Sequence, residues 1–178
     1  VAARLAALTD VDPEALQRES RWLAELDDEA LEDFIDICQP RTLVTGDALW
    51  TTGETGEGAF VLLSGCVELS WRVQPDGQQN KQMTQPGTLL GLAHLIHPWE
   101  HESSAVPLEA TDVLRIDRED FQELFDRQHP AAYRLVDAIA ETLVEEVRDA
   151  NRRLHEVFGH PAETLRTLRR RAHDSTRR

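Results

Sequence analysis

The sequence predicts an α+β protein in which an antiparallel β-roll, a double-stranded jelly roll, is flanked by helices. Apolar residues recur at helical spacing before residue 38, and helical spacing returns from residue 117. Between 41 and 116 the pattern changes to short alternating runs separated by Gly, Pro, Asp and Thr turn residues. Many short strands at close spacing favour an antiparallel roll over a parallel sheet.

These changes of period divide the chain into four predicted segments. An N-terminal helical lead-in covers 1–40, and the β-roll covers 41–116. The roll contains an internal segment at 87–110 that we call the cassette. Helices follow over 117–158, and a basic tail covers 159–178. The chain is long enough for one domain with a hydrophobic core and helical attachments.

Turn and cap residues predict where individual elements begin and end. Asp27 or Asp28 can cap a helix of the lead-in, and Asp117 can cap the first helix after the roll. Ala48–Thr51 and Leu108–Ala110 are predicted to form short strands within the roll. A break at His129-Pro130 is expected to precede one long helix.

Composition predicts a soluble cytoplasmic protein. Hydrophobic residues make up 40% and charged residues 29% of the 178 positions. No stretch of about 18 apolar residues predicts a membrane span, and the start does not resemble a signal peptide. Cys38 and Cys66 are the two cysteines, and neither belongs to a CxxC pair, which fits a reducing compartment.

The net charge of −14 is unevenly distributed. From Ala150 onward eight arginines face three acidic residues, a balance of +5, so the preceding residues carry −19. An acidic body repels nucleic acid, so we expect no nucleic-acid binding. The basic tail is predicted to contact a protein partner or to neutralise the acidic body.

The stretch Gly87–Ala110 is the candidate functional segment. A turn at Pro86-Gly87 leads to a short apolar run, to Gly91 and to a predicted helical turn over Leu92–Ile96. A glycine before such a turn leaves backbone N–H groups free to bind an anion.

The order of these signals resembles the cyclic nucleotide-binding domain family, over about Leu26 to Phe158. The matching signals are Gly46-Asp47, Gly53-Glu54, the run Val61–Leu69, Gly87, Ala110 and Ile116–Phe121. The resemblance implies an eight-stranded β-roll with an N-terminal helical bundle and a long C-terminal helix. It also implies a regulatory role, like that of kinase regulatory subunits, gated channels and catabolite-activator-type regulators. Twenty residues follow Phe158, too few for the helix-turn-helix of those regulators.

The cassette departs from the family pattern, which resembles G-E-L-A at its start and P-R-x-A-x-V-x-A at its end. In the family the Glu binds the ribose 2′-hydroxyl and the Arg pairs with the cyclic phosphate. Here Leu92 stands at the Glu position and, counting back from Ala110, Ser104 stands at the Arg position. The predicted ligand-binding residues of this degenerate cassette are Gly91, Leu92, Ala93, Ser103, Ser104 and Ala105.

Shifting the alignment does not restore the arginine, because neither Arg nor Lys occurs between Lys81 and Arg115. Losing two such hydrogen bonds removes about 3–6 kcal/mol, or two to four decades of affinity. The sequence therefore predicts a non-enzymatic regulatory or scaffold module without a bound cofactor, in which cyclic nucleotide binding is weakened or lost. The alternative is a genuine cyclic AMP or cyclic GMP sensor with unusual contacts.

A second alternative is a metal-binding β-roll protein. His94, His97 and His101 form an H-x2-H-x3-H pattern, and imidazole is a ligand of zinc, nickel and iron. Pro98 interrupts a shared helix face, so these side chains would have to meet through a loop.

The long helix, Ala131 to Phe158, carries an apolar heptad seam and predicts a homodimer. At about 1.5 Å per residue it spans about 42 Å, longer than a small roll is wide, so part of the seam needs another cover. The predicted interface residues are Val136, Ala140, Leu143, Val147, Ala150, Leu154 and Val157.

Overall fold

The computed structural model describes residues 20–73 and 77–159, and the chain divides into two compact units between Asp137 and Ala138. The helices are α1 (Arg21–Ala24), α2 (Asp28–Ile37), α3 (Arg118–Asp126) and α4 (Pro130–Gly159), with a 3₁₀ helix at Leu92–Leu95. The nineteen N-terminal residues and the predicted basic tail from residue 160 lie outside the described residues.

The described strands form two antiparallel sheets, which confirms the predicted fold class. The strands are β1 (Gln39–Leu43), β2 (Gly58–Ser64), β3 (Val67–Val73), β4 (Gly77–Met83), β5 (Leu89–Leu90), β6 (Ser104–Pro107) and β7 (Thr111–Asp117). One sheet has the order β1-β7-β2-β5 and the other β4-β3-β6. Every ladder between these strands is antiparallel.

Strand β2 is the centre of the first unit. Its residues Gly58 to Leu63 are all buried, and since successive residues point to opposite faces, both faces of the strand are covered. In contrast, β4 is exposed along almost its whole length. The core between the sheets is the cluster Trp50, Phe60, Leu62, Val67, Leu90, Ala105 and Val113, with Leu43, Leu49, Leu69 and Met83 packed against it.

The lead-in helices are attached to the start of the cassette. Trp22 Nε1 donates a hydrogen bond to the carbonyl of Gly87 at 3.1 Å. Gly87 has φ +79°, and a Cβ there would lie 2.3 Å from the Cβ of Ser20. Only glycine satisfies both the left-handed backbone and this close approach.

The predicted caps have different outcomes. Asp27 caps α2 by accepting from the N–H of Ala30 at 2.8 Å, as predicted. Asp117 is the N-cap residue of α3, but its side chain makes no capping hydrogen bond. Its carboxylate instead lies 2.6 Å from Nη2 of Arg115 and accepts from Nε2 of Gln39 at 2.6 Å.

Two predicted strands are wrong. Ala48–Thr51 forms only an isolated bridge, in which Trp50 pairs with Ala105. Leu108–Ala110 is the bend between β6 and β7 rather than part of a strand. At the first place Leu49 and Trp50 exchange hydrogen bonds with Ala105 of β6, and the ladder does not continue beyond that bridge. At the second place the N–H of Leu108 donates to the carbonyl of Cys66, and no ladder forms.

The long C-terminal helix is confirmed. Helix α3 ends at Asp126, and α4 begins at Pro130, whose missing N–H is tolerated in a first helical turn. Ala131, Ala132 and Leu135 in its first turns are fully buried. Within 20–73 and 77–159, no helix is long and apolar enough to cross a membrane.

Candidate ligand-binding cassette

A glycine inside the cassette, Gly91, precedes the 3₁₀ helix. Gly91 has φ +72°, a left-handed conformation that favours glycine, and its carbonyl accepts from the N–H of His94 at 3.0 Å. Leu92 and Leu95 are 9% and 1% exposed, and His94 is also buried. The side chains at the start of the cassette therefore belong to the core, while Ala93 is half-buried.

At the far end of the cassette, neighbouring residues face opposite sides of the sheet. Ala105 has no exposed surface and lies in the core between the sheets. The hydroxyl of Ser104 instead accepts from the N–H of Thr52 at 3.0 Å, and Ser104 lines a separate cavity of about 500 Å³. The count back from Ala110, which places Ser104 at the Arg position, assumes a continuous strand. Because β6 ends at Pro107, this count does not show which residue faces inward.

A stack of three rings occupies the interior beside the cassette. The indole of Trp50 lies between His101, at 4.5 Å between ring centroids, and Phe60, at 5.8 Å. Trp50 is 6% exposed, and its Nε1 has no hydrogen-bond partner. A Cβ added at Gly91 would lie 3.8 Å from Cη2 of Trp50, so the cassette opening packs on this ring.

A cavity of about 400 Å³ adjoins the ring stack and is open to solvent on the side of the exposed residues Glu54, Thr55 and Glu57. Its volume is at the lower end of the range for small-molecule sites. The lining residues are Leu49, Trp50, Glu54, Thr55, Glu57, Gly58, Phe60, His101 and Arg115.

None of the six predicted ligand-binding residues lines this cavity, and Arg115 is the cation among the lining residues that the sequence interpretation missed. It pairs with Phe60 across the β2–β7 ladder, two residues after the core residue Val113 on the same strand. Period-two alternation from Val113 would therefore have placed Arg115 on the inward face. Its Nη2 lies 3.1 Å from Oε2 of Glu57 and 2.6 Å from Oδ1 of Asp117.

The cavity wall is more negative than positive. The carboxylate of Glu54 accepts from the N–H of Thr51 at 2.8 Å, and this hydrogen bond holds the pKa of Glu54 below its usual range. Glu54 and Glu57 therefore face a single guanidinium, which Asp117 also neutralises. An anionic ligand in this cavity would therefore meet no unpaired positive charge among the lining residues.

Arg118 connects the cassette with helix α3. Its Nε donates to the carbonyl of His94 at 2.7 Å, and its Nη2 donates to the carbonyl of Gly56. Its backbone N–H donates to the carbonyl of Glu57 at 2.9 Å. Because the guanidinium binds two carbonyls of its own chain, it holds the cassette against the loop before β2 and is not available to a ligand.

The family model of the cyclic nucleotide-binding domain matches residues 40–128, half of the chain. The chain belongs to the cyclic nucleotide-binding domain family. The match covers all seven strands except the first residue of β1, together with the cassette and α3.

Relatives within the family include bacterial regulators. The chain is 30% identical over 118 residues to the cyclic AMP receptor protein of Thermus thermophilus, covering 66% of this chain and 54% of that protein. The crystal structure of the Thermus thermophilus catabolite activator protein superimposes with a TM-score of 0.67 at 26% identity, over 74% of this chain and 62% of that one. The chain thus spans about half the length of its curated relative.

A third similarity supports the fold alone. The N-terminal domain of a transcriptional regulator from Streptomyces coelicolor A3(2) has a TM-score of 0.63 at 24% identity, with 76% of this chain and 94% of that chain covered. The β-roll and its flanking helices are therefore those of a cyclic nucleotide-binding domain.

The three histidines do not form a metal site. Within the described part of the chain, no group of three or more His, Cys, Asp or Glu side chains could hold a metal ion. The His94 and His101 rings lie 3.9 Å apart, whereas His97 stacks on Trp99 at 4.8 Å. The metal-binding alternative therefore lacks structural support.

Burial keeps the two inner histidines uncharged. Burial, with a smaller contribution from the guanidinium of Arg118, lowers the pKa of His94. Burial, together with the neighbouring His94, lowers the pKa of His101 to about 4. Both rings are therefore neutral near pH 7 and supply no positive charge to the cavity.

The predicted seam of α4 is largely exposed beyond its first turns. Leu143, Val147 and Leu154 are 51%, 59% and 53% exposed. Of the other predicted interface residues, Ala140 and Ala150 are exposed, Val136 is half-buried, and the side chain of Val157 lies outside the description.

Proposed function

We propose that this chain is a non-enzymatic regulatory domain in which binding of cyclic AMP and cyclic GMP is weakened or lost. The observation that most supports this proposal is the ring stack of Trp50, His101 and Phe60, which occupies the roll interior beside the cassette. The place where the family pattern requires a ribose acceptor is Leu92, which is buried. A leucine offers no hydrogen bond to a ribose hydroxyl.

The charges around the cavity support the same proposal. A phosphate bound there would have to compete with Glu57 and Asp117 for Arg115, and it would face the ionised Glu54. Each missing charge-assisted hydrogen bond lowers affinity by about 1.5–3 kcal/mol. We therefore expect dissociation constants for cyclic AMP and cyclic GMP no tighter than tens of micromolar, as an order of magnitude.

Titration calorimetry of two double variants tests this proposal. The first, Leu92→Glu with His101→Arg, adds the ribose acceptor and places a guanidinium where the His101 ring lines the cavity. We expect it to bind cyclic AMP at least about tenfold more tightly than the unaltered protein, through new charge-assisted hydrogen bonds.

The matched control is Leu92→Glu with Ser104→Arg. It has the same added acid and arginine, but Ser104 faces Thr52 and the separate cavity of about 500 Å³, so the guanidinium is not placed beside the ring stack. No gain in cyclic AMP affinity is expected for this control. A submicromolar dissociation constant for the unaltered protein would show that nucleotide binding is intact.

The alternative, a genuine cyclic nucleotide sensor with unusual contacts, has one observation in its favour. Arg115 lines the cavity beside the ring stack and supplies a cation from β7 instead of from the cassette. In that case Arg115→Gln would abolish cyclic AMP binding, and Glu57→Gln would strengthen it by removing a competing carboxylate. Under our leading proposal both variants keep the weak or absent binding of the unaltered protein.

We also propose that the chain forms a homodimer through α4. The observation that supports it is the row of exposed aliphatic side chains Leu143, Val147 and Leu154. These residues are spaced at four and seven, so they share one face of the helix. A second copy presents an identical row, and a twofold interface is self-complementary.

Sedimentation of the variant Leu143→Asp with Leu154→Asp tests the dimer. Two carboxylates in the row would face each other across a twofold axis, so we expect the dimer to become a folded monomer. The control Arg148→Asp with Arg152→Asp places the same carboxylates on the far side of the helix and should remain dimeric. A monomeric unaltered protein at micromolar concentration would contradict the proposal.

A further inference from the structure

The segment after the 3₁₀ helix, residues 96–100, exposes two large apolar side chains, and we call it the display loop. Ile96 is 57% and Trp99 is 54% exposed, although Leu92 and Leu95 just before them are buried. Two large exposed apolar side chains on one loop form a candidate contact surface, because tryptophan is enriched at the centres of protein interfaces.

The backbone of the display loop is held rigidly against the loop before β2. Gly56 N–H donates to the carbonyl of Trp99 at 2.9 Å, and Thr55 and Glu100 form an antiparallel bridge. The ring of Trp99 stacks on that of His97 at 4.8 Å. A partner that binds Trp99 therefore does not have to order the loop, and the entropic cost of binding is reduced.

Acidic residues flank Trp99 along the chain and across the bridge. Glu100 and Glu102 follow Trp99, and Glu54 and Glu57 belong to the loop that pairs with the display loop. Glu57 is paired with Arg115, and Glu54 accepts from the N–H of Thr51. The carboxylates of Glu100 and Glu102 and the charge of −19 before Ala150 favour a cationic partner.

We propose that the display loop is a docking site for an arginine-containing segment of a partner protein. A guanidinium stacks on the face of an indole and pairs with carboxylates at the same time, and an aliphatic neighbour of that arginine can cover Ile96. Nucleic acids and anionic membranes do not fit, because the same carboxylates repel them. This inference is independent of nucleotide binding and of the dimer.

Fluorescence anisotropy with a short labelled peptide of alternating arginine and leucine tests the proposal on the full chain. We expect the unaltered protein to bind it, with an affinity that decreases as salt increases. Trp99→Ala should weaken binding at least about tenfold, as expected for a central tryptophan. Ile96→Ala should weaken binding by a smaller factor.

The control variant is Val44→Ala, which truncates an equally exposed aliphatic residue after β1 and should leave binding unchanged. A peptide with lysine in place of arginine should bind several-fold more weakly, because ammonium does not stack as guanidinium does. The proposal is overturned if the arginine peptide does not bind, or if Trp99→Ala binds it as well as the unaltered protein. Equal binding of a glutamate peptide, or binding to anionic lipid vesicles, would overturn it too.

Discussion

The middle of the cassette, residues 91–100, has two halves that differ although they are adjacent in sequence. In the opening half, Gly91–Leu95, most side chains point into the core and Arg118 binds the backbone. In the display loop, residues 96–100, Ile96 and Trp99 point to solvent and the backbone is tied to the neighbouring loop.

The difference indicates that the two halves contribute differently to the protein. Where the family pattern has a ligand-binding acid, this chain has a buried leucine, and the opening half contributes to stability. The display loop keeps a fixed backbone but contributes little to the core, so its side chains are available for contact with another molecule. Stability and binding should therefore respond to different halves of the same segment.

The largest expected effect is on the free energy of unfolding, and it distinguishes two neighbouring residues, Leu95 and Ile96, which are 1% and 57% exposed. Leu95→Ala leaves a cavity in the core and should lower the free energy of unfolding by about 2–5 kcal/mol. Ile96→Ala removes an exposed side chain and should change it by less than about 0.5 kcal/mol. Urea denaturation of both variants measures the difference, and equal losses would contradict the division into two halves.

A smaller effect is expected when the opening half is released from α3. Arg118→Met leaves the carbonyls of His94 and Gly56 without this donor, which should cost about 1–3 kcal/mol of unfolding free energy. The control is Arg127→Met, because Arg127 pairs with Glu123 on an exposed helix surface, and such pairs contribute about 0–1 kcal/mol. Similar losses for the two variants would show that Arg118 does not hold the cassette.

The third expected effect is a pH dependence that separates His101 from His97. The pKa of His101 in the folded protein, about 4, lies below its ordinary value of 6.5, so the unfolded chain binds a proton first as pH falls. The free energy of unfolding should therefore decrease from about pH 6.5 towards pH 4, by at most about 1.4 kcal/mol per pH unit from this residue.

Thermal unfolding between pH 7 and pH 4.5 measures this dependence. His101→Gln should reduce the slope, whereas His97→Gln, which changes an exposed side chain on the display loop, should not. An unchanged slope in His101→Gln would mean that the buried ring is not responsible.

Much of the fold could be predicted because it follows from local patterns. Helix α2 begins where Asp27 supplies a cap, and α4 begins where Pro130 follows a break. The 3₁₀ helix begins after Gly91, as the glycine and the apolar run predicted. The errors at Ala48–Thr51 and Leu108–Ala110 arose because a strand also needs a paired neighbour, which residue type does not reveal.

The sequence by itself determined that a leucine follows Gly91 and that no Arg or Lys lies between Lys81 and Arg115. Both follow from residue identity, which folding does not alter. Only the tertiary structure decided that Ser104 faces away from the core and that Arg115 pairs with Glu57 and Asp117. The direction of a side chain depends on where its strand begins, ends and pairs, because a shift of one residue turns it to the opposite face.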